Sequence, residues 1–238
     1  MSVAEPVSFE MMSSNGIPGT SMESTDGSAT DETRPSSNPP FWDVRYAREP
    51  ELFGASPSAF VMQHADEIPP GAQILEIGAG DGRTLRGLAR SRDVSGVGVD
   101  FSREAIATGR RRAAAHSLDV AFEHADIRSW SPSSTWDVVI VTFVQLLPPE
   151  RTTLYAGMRT AVRPGGLVLG QWFRPEHLSG AFDRVGPNRP DRMVPPAEVE
   201  TAFKSFHDLS VTSEVVSLNE GRLRGEAATI HLVARRPA

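Results

Sequence analysis

Hydrophobic positions from residue 41 onward follow two patterns, and these patterns alternate along the chain. Short apolar runs that end near glycine or aspartate, such as Gln73–Ile77 and Asp137–Thr142, are typical of buried strands. Longer segments with apolar side chains three and four positions apart, such as Arg83–Arg92, are typical of helices that pack on one face. The alternation predicts a doubly wound α/β domain with a mostly parallel sheet.

The remaining predicted elements complete a seven-stranded sheet. Ser102 is placed to cap a helix that runs to about Ser117, and a helix over residues 150–162 is stopped by Pro164. A loop with Gly221 and Gly225 joins the last two strands, which predicts an antiparallel pair at the C-terminal end. The other predicted strands are Gly96–Val99, Val120–Glu123, Leu167–Trp172, Leu209–Val216 and Ala228–Ala234, and a last helix is predicted over Pro195–Phe206.

Residues 1–40 differ from the rest of the chain. They are rich in Ser, Thr, Gly, Pro and Asn and show no apolar periodicity, so they cannot bury enough surface to offset the entropy of ordering. We predict a disordered tail over 1–40 and one domain over 41–238. The alternative is that the stretch nearest Phe41 folds over a bound ligand.

Composition excludes several classes of protein. The chain has 238 residues and no cysteine, which excludes disulfides, thiolate zinc sites and cysteine nucleophiles. The six histidines show no metal-ligand spacing, so no metal is expected. No window approaches the roughly 20 apolar residues of a membrane span, and the first 30 residues lack the pattern of a secretion signal. We therefore expect a cytoplasmic protein.

The net charge of −6 lies mostly in the tail. Residues 1–40 hold six acidic residues and one arginine, which leaves 24 acidic and 23 basic residues in the body. A nucleic-acid-binding face needs clustered Lys and Arg, and the single run Arg110–Arg112 is explained as the solvated end of a helix. The expected partner is a small-molecule substrate, with no nucleic acid, and the protein is expected to be a monomer or homodimer.

The candidate chemistry lies at the ends of the predicted strands. The segment Glu76–Gly82 (EIGAGDG) ends the first strand and opens a helix, at the edge of an open sheet where ligands bind. Asp100 ends the second strand, where a carboxylate can accept two ribose hydroxyls. Asp126 and Ile127 follow the third strand, where a carboxylate can accept from an adenine amino group and an apolar side chain can cover the ring.

A nicotinamide dinucleotide is the natural competing ligand. Its fingerprint is G-x-G-x-x-G, and with Gly78 and Gly80 as the first two glycines the third position is Arg83. The helix-packing glycine is therefore missing, and the sequence favours a nucleoside ligand without a pyrophosphate.

The chain resembles class I S-adenosylmethionine-dependent methyltransferases over essentially all of residues 41–238. The motif E-x-G-x-G-x-G, the acids at Asp100 and Asp126, and the turn Arg163–Gly166 before the fifth strand occur in the order typical of that class. The resemblance implies a Rossmann-like methyltransferase fold and S-adenosylmethionine as cofactor. The cofactor-binding residues that it implies are Glu76, Gly78, Ala79, Gly80, Asp100, Phe101, Asp126, Ile127 and Thr142.

Within that class the chain looks most like the small tellurite-resistance and thiopurine-type methyltransferases. The looser matches that carry this likeness are Trp42–Tyr46, Phe53-Gly54 with Pro57, Gly82-Arg83, Phe173–His177 and Glu220-Gly221. Such enzymes commonly have a histidine after the Glu-Gly pair, where this chain has Leu223 and Arg224. The departure weighs against metalloid and thiol substrates and is compatible with an organic metabolite.

Substrate contacts are predicted around the ends of the fourth and fifth strands. Phe143 and Gln145 follow the fourth strand, where the resemblance places the methyl group together with Thr142, and Trp172 lies at the end of the fifth strand. The alternative for Phe143 is a core position. Trp42 would line the entrance.

Two residues are candidates for a catalytic role. His177 follows the fifth strand and would take a proton from the accepting atom, because imidazole titrates near neutral pH. Tyr46 would close over the cofactor together with Trp42. The alternatives are a surface histidine and a packing helix. The stretch Arg174–Val194 is expected to cap the pocket and to set substrate choice.

The sequence thus predicts a methyltransferase that acts on a small organic metabolite, aromatic or heterocyclic. The alternatives are methylation of tellurite, selenite or a thiol, methylation of protein or RNA, and a non-catalytic nucleoside-binding protein of the same fold.

Overall fold

The computed structural model describes residues 38–238. The predicted N-terminal tail, residues 1–40, lies outside the described residues except for its last three positions. Of these, Pro39 and Pro40 already belong to a helix, in which proline is accepted at the first positions because no backbone N–H is needed there.

The described residues form one seven-stranded sheet flanked by helices. The strand order is β3-β2-β1-β4-β5-β7-β6, with β1 to β5 parallel and β7 antiparallel to both of its neighbours. The strands are β1 (Ala72–Ile77), β2 (Val94–Asp100), β3 (Val120–His124), β4 (Trp136–Thr142), β5 (Val162–Phe173), β6 (His207–Glu220) and β7 (Leu223–Arg235). The predicted doubly wound, mostly parallel seven-stranded sheet with a C-terminal antiparallel pair is confirmed.

Six α-helices connect or cover the strands in the described part of the chain. They are α1 (Pro39–Arg48), α2 (Ala59–Gln63), α3 (Arg83–Ser91), α4 (Arg103–Ala115), α5 (Pro148–Ala161) and α6 (Pro196–Phe203). The helices α3 to α6 match predicted elements to within a few residues. A packing helix was the alternative interpretation of the segment with Trp42 and Tyr46, and α1 is that helix. Helix α2, which has only five residues, was not predicted.

Side chains of the central strands alternate between two cores. Ile74 on β1 belongs to one core, with Leu85 and Ile140, whereas Leu75 belongs to the other, with Trp172. Successive strand residues point to opposite faces, so continuous apolar runs fill both layers of helices.

The strand order reverses between β1 and β4. Both pair with the sheet in parallel register, with Leu75 opposite Val97 on β2 and opposite Val139 on β4. Connections leave β1 and β4 toward opposite sides, and an open α/β sheet places its ligand crevice at the carboxyl ends of such strands.

Helix α1 is attached above this crevice through the start of α4. The hydroxyl of Ser102 accepts from the backbone N–H of Ala105, as a helix cap does, and donates to Asp43 of α1 (2.7 Å). The predicted Ser102 cap is therefore present, and it also ties α1 to the edge of the site. Among residues 38–238, no helix is both long and apolar enough to cross a membrane.

Candidate cofactor and substrate site

A cavity of about 450 Å³ lies at the carboxyl ends of β1, β2, β4 and β5, beneath α1. This volume is in the range of small-ligand sites. It is lined by Phe41, Trp42, Arg45, Tyr46, Phe53, Glu76, Gly78, Ala79, Asp81, Arg83, Asp100, Phe101, Ile127, Arg128, Thr142, Phe143, Val144, Gln145, Leu146, Phe173, Gly186, Pro187, Arg222 and Leu223. Eleven of the fifteen predicted site residues are in this set, and the other four are Gly80, Asp126, Trp172 and His177.

The glycine-rich loop after β1 needs its glycines for the turn itself. Gly78 and Gly80 have φ values of 71° and 58°, which L side chains rarely adopt. A β-carbon at Gly78 would overlap the side chain of Val144, and one at Gly80 would overlap the hydroxyl of Tyr46. A ligand can thus come close to the backbone of the loop on one side, while the other side of the loop packs against protein.

Asp100 is buried at the end of β2 and faces the cavity. Its two carboxylate oxygens accept from the backbone N–H groups of Gly80 and Ser102, both at 2.8 Å. Burial raises the pKa of Asp100 to about 6, against the lowering effect of these hydrogen bonds. A carboxylate offers about four acceptor positions, so acceptor capacity remains for hydroxyl donors in the cavity.

Glu76 lies beside the glycine loop, on β1. One carboxylate oxygen accepts from the backbone N–H of Leu85 in α3 (3.1 Å). Burial raises the pKa of Glu76 to about 7, partly opposed by that hydrogen bond and by the positive charge of Arg83. Glu76 therefore orients the start of α3 and also presents a titratable group to the cavity.

The wall next to Asp100 is apolar. Phe101 and Ile127 both line the cavity there, as expected for residues that enclose a planar heterocycle. Asp126 does not line it, because its carboxylate is held by the guanidinium of Arg128 through bonds of 2.9 Å and 2.6 Å. That pairing lowers the pKa of Asp126. Asp126 adjoins the lining residues Ile127 and Arg128, and its predicted adenine contact stays a prediction.

Two residues of α1 form the roof of the cavity. Trp42 and Tyr46 both pack on Phe53, with ring centroids 6.0 Å and 6.3 Å apart. Burial and the nearby carboxylates raise the pKa of Tyr46 well above its usual value. Tyr46 is therefore a neutral phenol, and its predicted place in the closure over the cofactor stays a prediction.

The loop after β4 supplies the opposite wall. Phe143 has a φ of 56°, a strained conformation for an aromatic residue, and its ring packs on Phe173 at 5.0 Å. Thr142 and Gln145 also line the cavity. The side chain of Gln145 is engaged, since it accepts from the N–H of Phe173 (3.2 Å) and donates to the carbonyl of Arg192 (2.8 Å).

Trp172 lies on the wrong side of the sheet for its predicted substrate role. It is fully buried in the core on the far face and meets Tyr155 edge-on at 6.1 Å. Its neighbour Phe173 lines the cavity instead. The correction follows from the period of two in a strand, which sends residues 172 and 173 in opposite directions.

His177 is also corrected. It is buried between the rings of Phe173 and Phe182, outside the cavity lining. Its Nε2 lies 2.8 Å from the carbonyl of Val185, and its Nδ1 accepts from the N–H of Ala228 at 3.4 Å. Both ring nitrogens are therefore engaged by backbone, so His177 fixes the loop after β5 and is not placed to take a proton from a substrate.

The loop that His177 fixes does reach the site. Within the predicted capping stretch Arg174–Val194, Gly186 and Pro187 line the cavity. A β-carbon at Gly186 would overlap the ring of Phe173, which shows how closely this loop lies over the aromatic wall.

Residues scattered through the sequence meet beside the glycine loop. The guanidinium of Arg83 pairs with Glu220 at the end of β6 and donates to the carbonyl of Ser56 (2.7 Å). Gly54 and Gly221 are in backbone contact, where a β-carbon at Gly221 would overlap the N–H of Gly54. These are the residues that carry the looser sequence likeness, and together they dock the segment after α1 against the β6–β7 turn.

The donor set fits a nucleoside cofactor. Asp100 supplies free acceptor positions for a ribose, Phe101 and Ile127 supply an apolar slot, and the glycine loop supplies a backbone edge. Among the described residues, no group of three or more His, Asp or Glu is arranged to hold a metal ion. The fold and this site resemble those of class I S-adenosylmethionine-dependent methyltransferases.

Comparisons with known proteins agree with this class. Residues 74–166 match the model of a methyltransferase domain family, and that family and fold imply S-adenosylmethionine as cofactor. A trans-aconitate 2-methyltransferase from Methylobacterium nodulans is 30% identical over 130 residues, which are 54% of this chain and 48% of that protein. The matches span 21% to 49% of the length of the curated relatives, so they bear on the domain and not on a substrate.

Solved structures share the fold at low identity. TehB from Haemophilus influenzae superposes with a TM-score of 0.59 at 18% identity, over 74% of this chain and 61% of that one. A structure solved in work on the conversion of a disulfide bond into a thioacetal group during echinomycin biosynthesis superposes with a TM-score of 0.62 at 21% identity, over 84% of this chain and 93% of that one. The predicted class I fold is confirmed.

Proposed function

We propose that this protein transfers the methyl group of S-adenosylmethionine to a small organic metabolite with an aromatic or heterocyclic body. The observation that carries the proposal is the division of one cavity into two unlike parts. One part has Asp100, Phe101 and the glycine loop, and the other has the aromatic pair Phe143 and Phe173.

The cofactor, when bound, supplies a methyl group that is already activated for displacement by a nucleophile. The contribution of the chain is then alignment and exclusion of water, which can account for roughly 7–11 kcal/mol of a displacement barrier in favourable cases. Asp100 would hold the ribose, and Trp42 and Tyr46 would cover the site. Thr142 and Phe143 would border the position of transfer.

The lining offers little for removal of a proton. Tyr46 is a neutral phenol, Asp81 is held by Arg86 and Arg112 (both 2.9 Å), and His177 lies outside the cavity. Glu76 has a pKa near neutrality but sits beside the glycine loop, in the part assigned to the cofactor. We therefore propose an accepting atom that is nucleophilic without help, such as a thiolate, a ring nitrogen or a carboxylate.

The test is a methyl-transfer screen with S-adenosylmethionine labelled in its methyl group. Phenols, indoles, heterocyclic amines, simple thiols, tellurite and selenite are incubated separately, and labelled product is detected by mass spectrometry. The proposal expects turnover of an aromatic or heterocyclic compound. Faster turnover of tellurite or a simple thiol would overturn the substrate class, and cofactor binding without any transfer would favour a non-catalytic binding protein.

A matched pair of variants makes the screen specific to this cavity. Phe143→Ala removes part of the aromatic wall and should weaken the aromatic substrate more than the cofactor. Phe182→Ala removes a phenylalanine that stacks on His177 outside the cavity lining, and it should leave substrate KM nearly unchanged. Equal effects of the two variants would remove Phe143 from the substrate site.

A further inference from the structure

Two arginines from distant parts of the chain meet at the entrance of the cavity. Arg45 lies on α1, and Arg222 lies in the turn between β6 and β7. Both line the cavity, and both also line a shallow hollow behind α1. The side chain of Arg222 is 58% exposed, so the pair lies where the cavity opens to solvent.

The hydrogen-bonding capacity of this pair is largely unused. Arg45 stacks over the rings of Phe41 and Trp42, 5.1 Å and 5.5 Å from their centroids, and no described residue accepts a hydrogen bond from it. Arg222 donates from Nε to Glu49, and among residues 38–238 its two terminal nitrogens have no acceptor. Burial and the charge of Arg222 lower the pKa of Arg45, with Glu49 acting in the opposite direction. A single carboxylate, that of Glu49, thus acts on both guanidinium groups.

The other two arginines of the lining behave differently. Arg83 is neutralised by Glu220, and Arg128 by Asp126. These pairs are internal to the fold and hold loops in place. A solvated surface role would explain an isolated exposed arginine, but it does not explain why Arg45 lies over two aromatic rings and faces the same cavity as Arg222.

We propose that Arg45 and Arg222 bind a carboxylate on the substrate. The guanidinium group is suited to this because its planar array of donors matches the two oxygens of a carboxylate. The apolar residues around the pair, Phe53, Phe173 and Leu223, would contact the aromatic body. The substrate class is then an aromatic or heterocyclic carboxylic acid, a conclusion that rests on the proposed methyltransferase function.

A carboxylate is also present in the methionine half of the cofactor, so the test must separate two sources. The variants are Arg45→Gln and Arg222→Gln, with Arg48→Gln as control. Arg48 lies on the same helix, is exposed and borders the hollow behind α1, but it does not line the cavity. Affinity for S-adenosylhomocysteine is measured by calorimetry for every variant, which also reports whether each is folded.

The substrate arm uses matched pairs of acids and their carboxamides. Indole-3-carboxylate, 4-hydroxybenzoate and nicotinate are each compared with the corresponding amide for binding to protein loaded with S-adenosylhomocysteine. At least one acid should bind about tenfold or more tightly than its amide, because hydrogen bonds between charged groups are worth considerably more than neutral ones. The preference should collapse toward onefold in Arg45→Gln and Arg222→Gln and persist in Arg48→Gln.

The outcomes distinguish this inference from the proposed function. Acids that bind no better than amides, or no binding of any acid, would overturn the carboxylate site while leaving cofactor binding intact. A loss of S-adenosylhomocysteine affinity in Arg45→Gln equal to the loss of acid binding would assign the arginine to the cofactor and overturn the inference as well. Failure of the unmodified protein to bind S-adenosylhomocysteine would instead refute the proposed function.

Discussion

Lowering the pH should weaken cofactor binding through Asp100. Burial raises the pKa of this carboxyl to about 6, so it is about nine-tenths ionised at pH 7 and about one-tenth ionised at pH 5. Ribose hydroxyls donate to the ionised form. Affinity for S-adenosylhomocysteine should therefore fall about tenfold between pH 7 and pH 5, which corresponds to about 1.4 kcal/mol.

In the protein without ligand, the effect of pH on folding stability through Asp100 has the opposite sign to its effect on ligand affinity. The pKa of Asp100 is above its ordinary value of 3.8, so the folded state binds protons more readily than the unfolded state. Ionisation of Asp100 consequently destabilises the unliganded protein as the pH rises from 3.8 to about 6, and bound ligand should offset that loss of stability.

The assay is calorimetry with S-adenosylhomocysteine at several pH values from 5 to 7. Glu76 has a pKa of about 7 and titrates in the same window, so the titration is run in a Glu76→Gln background, where an amide oxygen can still accept from Leu85. Asp100→Asn in the same Glu76→Gln background is the control, because it lacks the titrating carboxyl group while any protonation of the ligand itself is unchanged. It should bind about 10- to 100-fold more weakly and without pH dependence. A flat profile for Glu76→Gln, or unchanged affinity in Asp100→Asn, would refute the role of Asp100.

Three further predictions follow from the contacts of single residues and segments. His177→Gln should lower the free energy of unfolding by about 1–3 kcal/mol, because two buried backbone partners lose their hydrogen bonds. The shape of the pH–rate profile should not change. Loss of an ionisation from that profile would show that His177 is the general base after all. Gly80→Ala should weaken S-adenosylhomocysteine binding and stability together, since φ is 58° and Tyr46 occupies the space of a β-carbon, whereas Gly157→Ala in α5, with open space around it, should be neutral or stabilising by about 0.5–1 kcal/mol; equal Tm values for the two variants would contradict this reading of the loop. Deletion of residues 1–35, predicted from their composition to lie outside any core, should leave Tm nearly unchanged, and a loss of several degrees in a thermal scan would show that they pack on the domain.

The fold was predictable from the sequence because its signals are local and repeated. Runs such as Asp137–Thr142 are continuous in apolar side chains since β4 is covered on both faces, and the helical stretches end at glycines and prolines that can be read directly. Helix α1 was predicted only as an alternative, because the hydrogen bond of its Asp43 with Ser102 and its contacts between aromatic rings produce no helical stripe of apolar residues.

The cofactor half of the site was predicted better than the substrate half for a similar reason. Asp100 and the glycine loop lie at the carboxyl ends of parallel strands, and these ends meet at the same edge of the sheet. Trp172 and Phe173 point to opposite faces of β5, and a continuous run of apolar residues does not reveal which side chain points to which face. Arg45 and Arg222 could not be paired from the sequence, since their proximity depends on the backbone contact of Gly54 with Gly221.

His177 and Asp126 show a second limit. Both have the chemistry required by the predicted role, but each has partners close at hand: backbone groups for His177 and Arg128 for Asp126. Residue type and position at a strand end thus predict what a side chain can do, and the local hydrogen bonds decide whether it is available.

Binding of S-adenosylhomocysteine compared with NAD⁺ tests the central claim most directly. Calorimetry on the full chain should show one S-adenosylhomocysteine site per molecule, displaced by S-adenosylmethionine, and no heat of binding for NAD⁺. Saturable binding of NAD⁺ without binding of S-adenosylhomocysteine would contradict the assignment of this cavity to a methyltransferase.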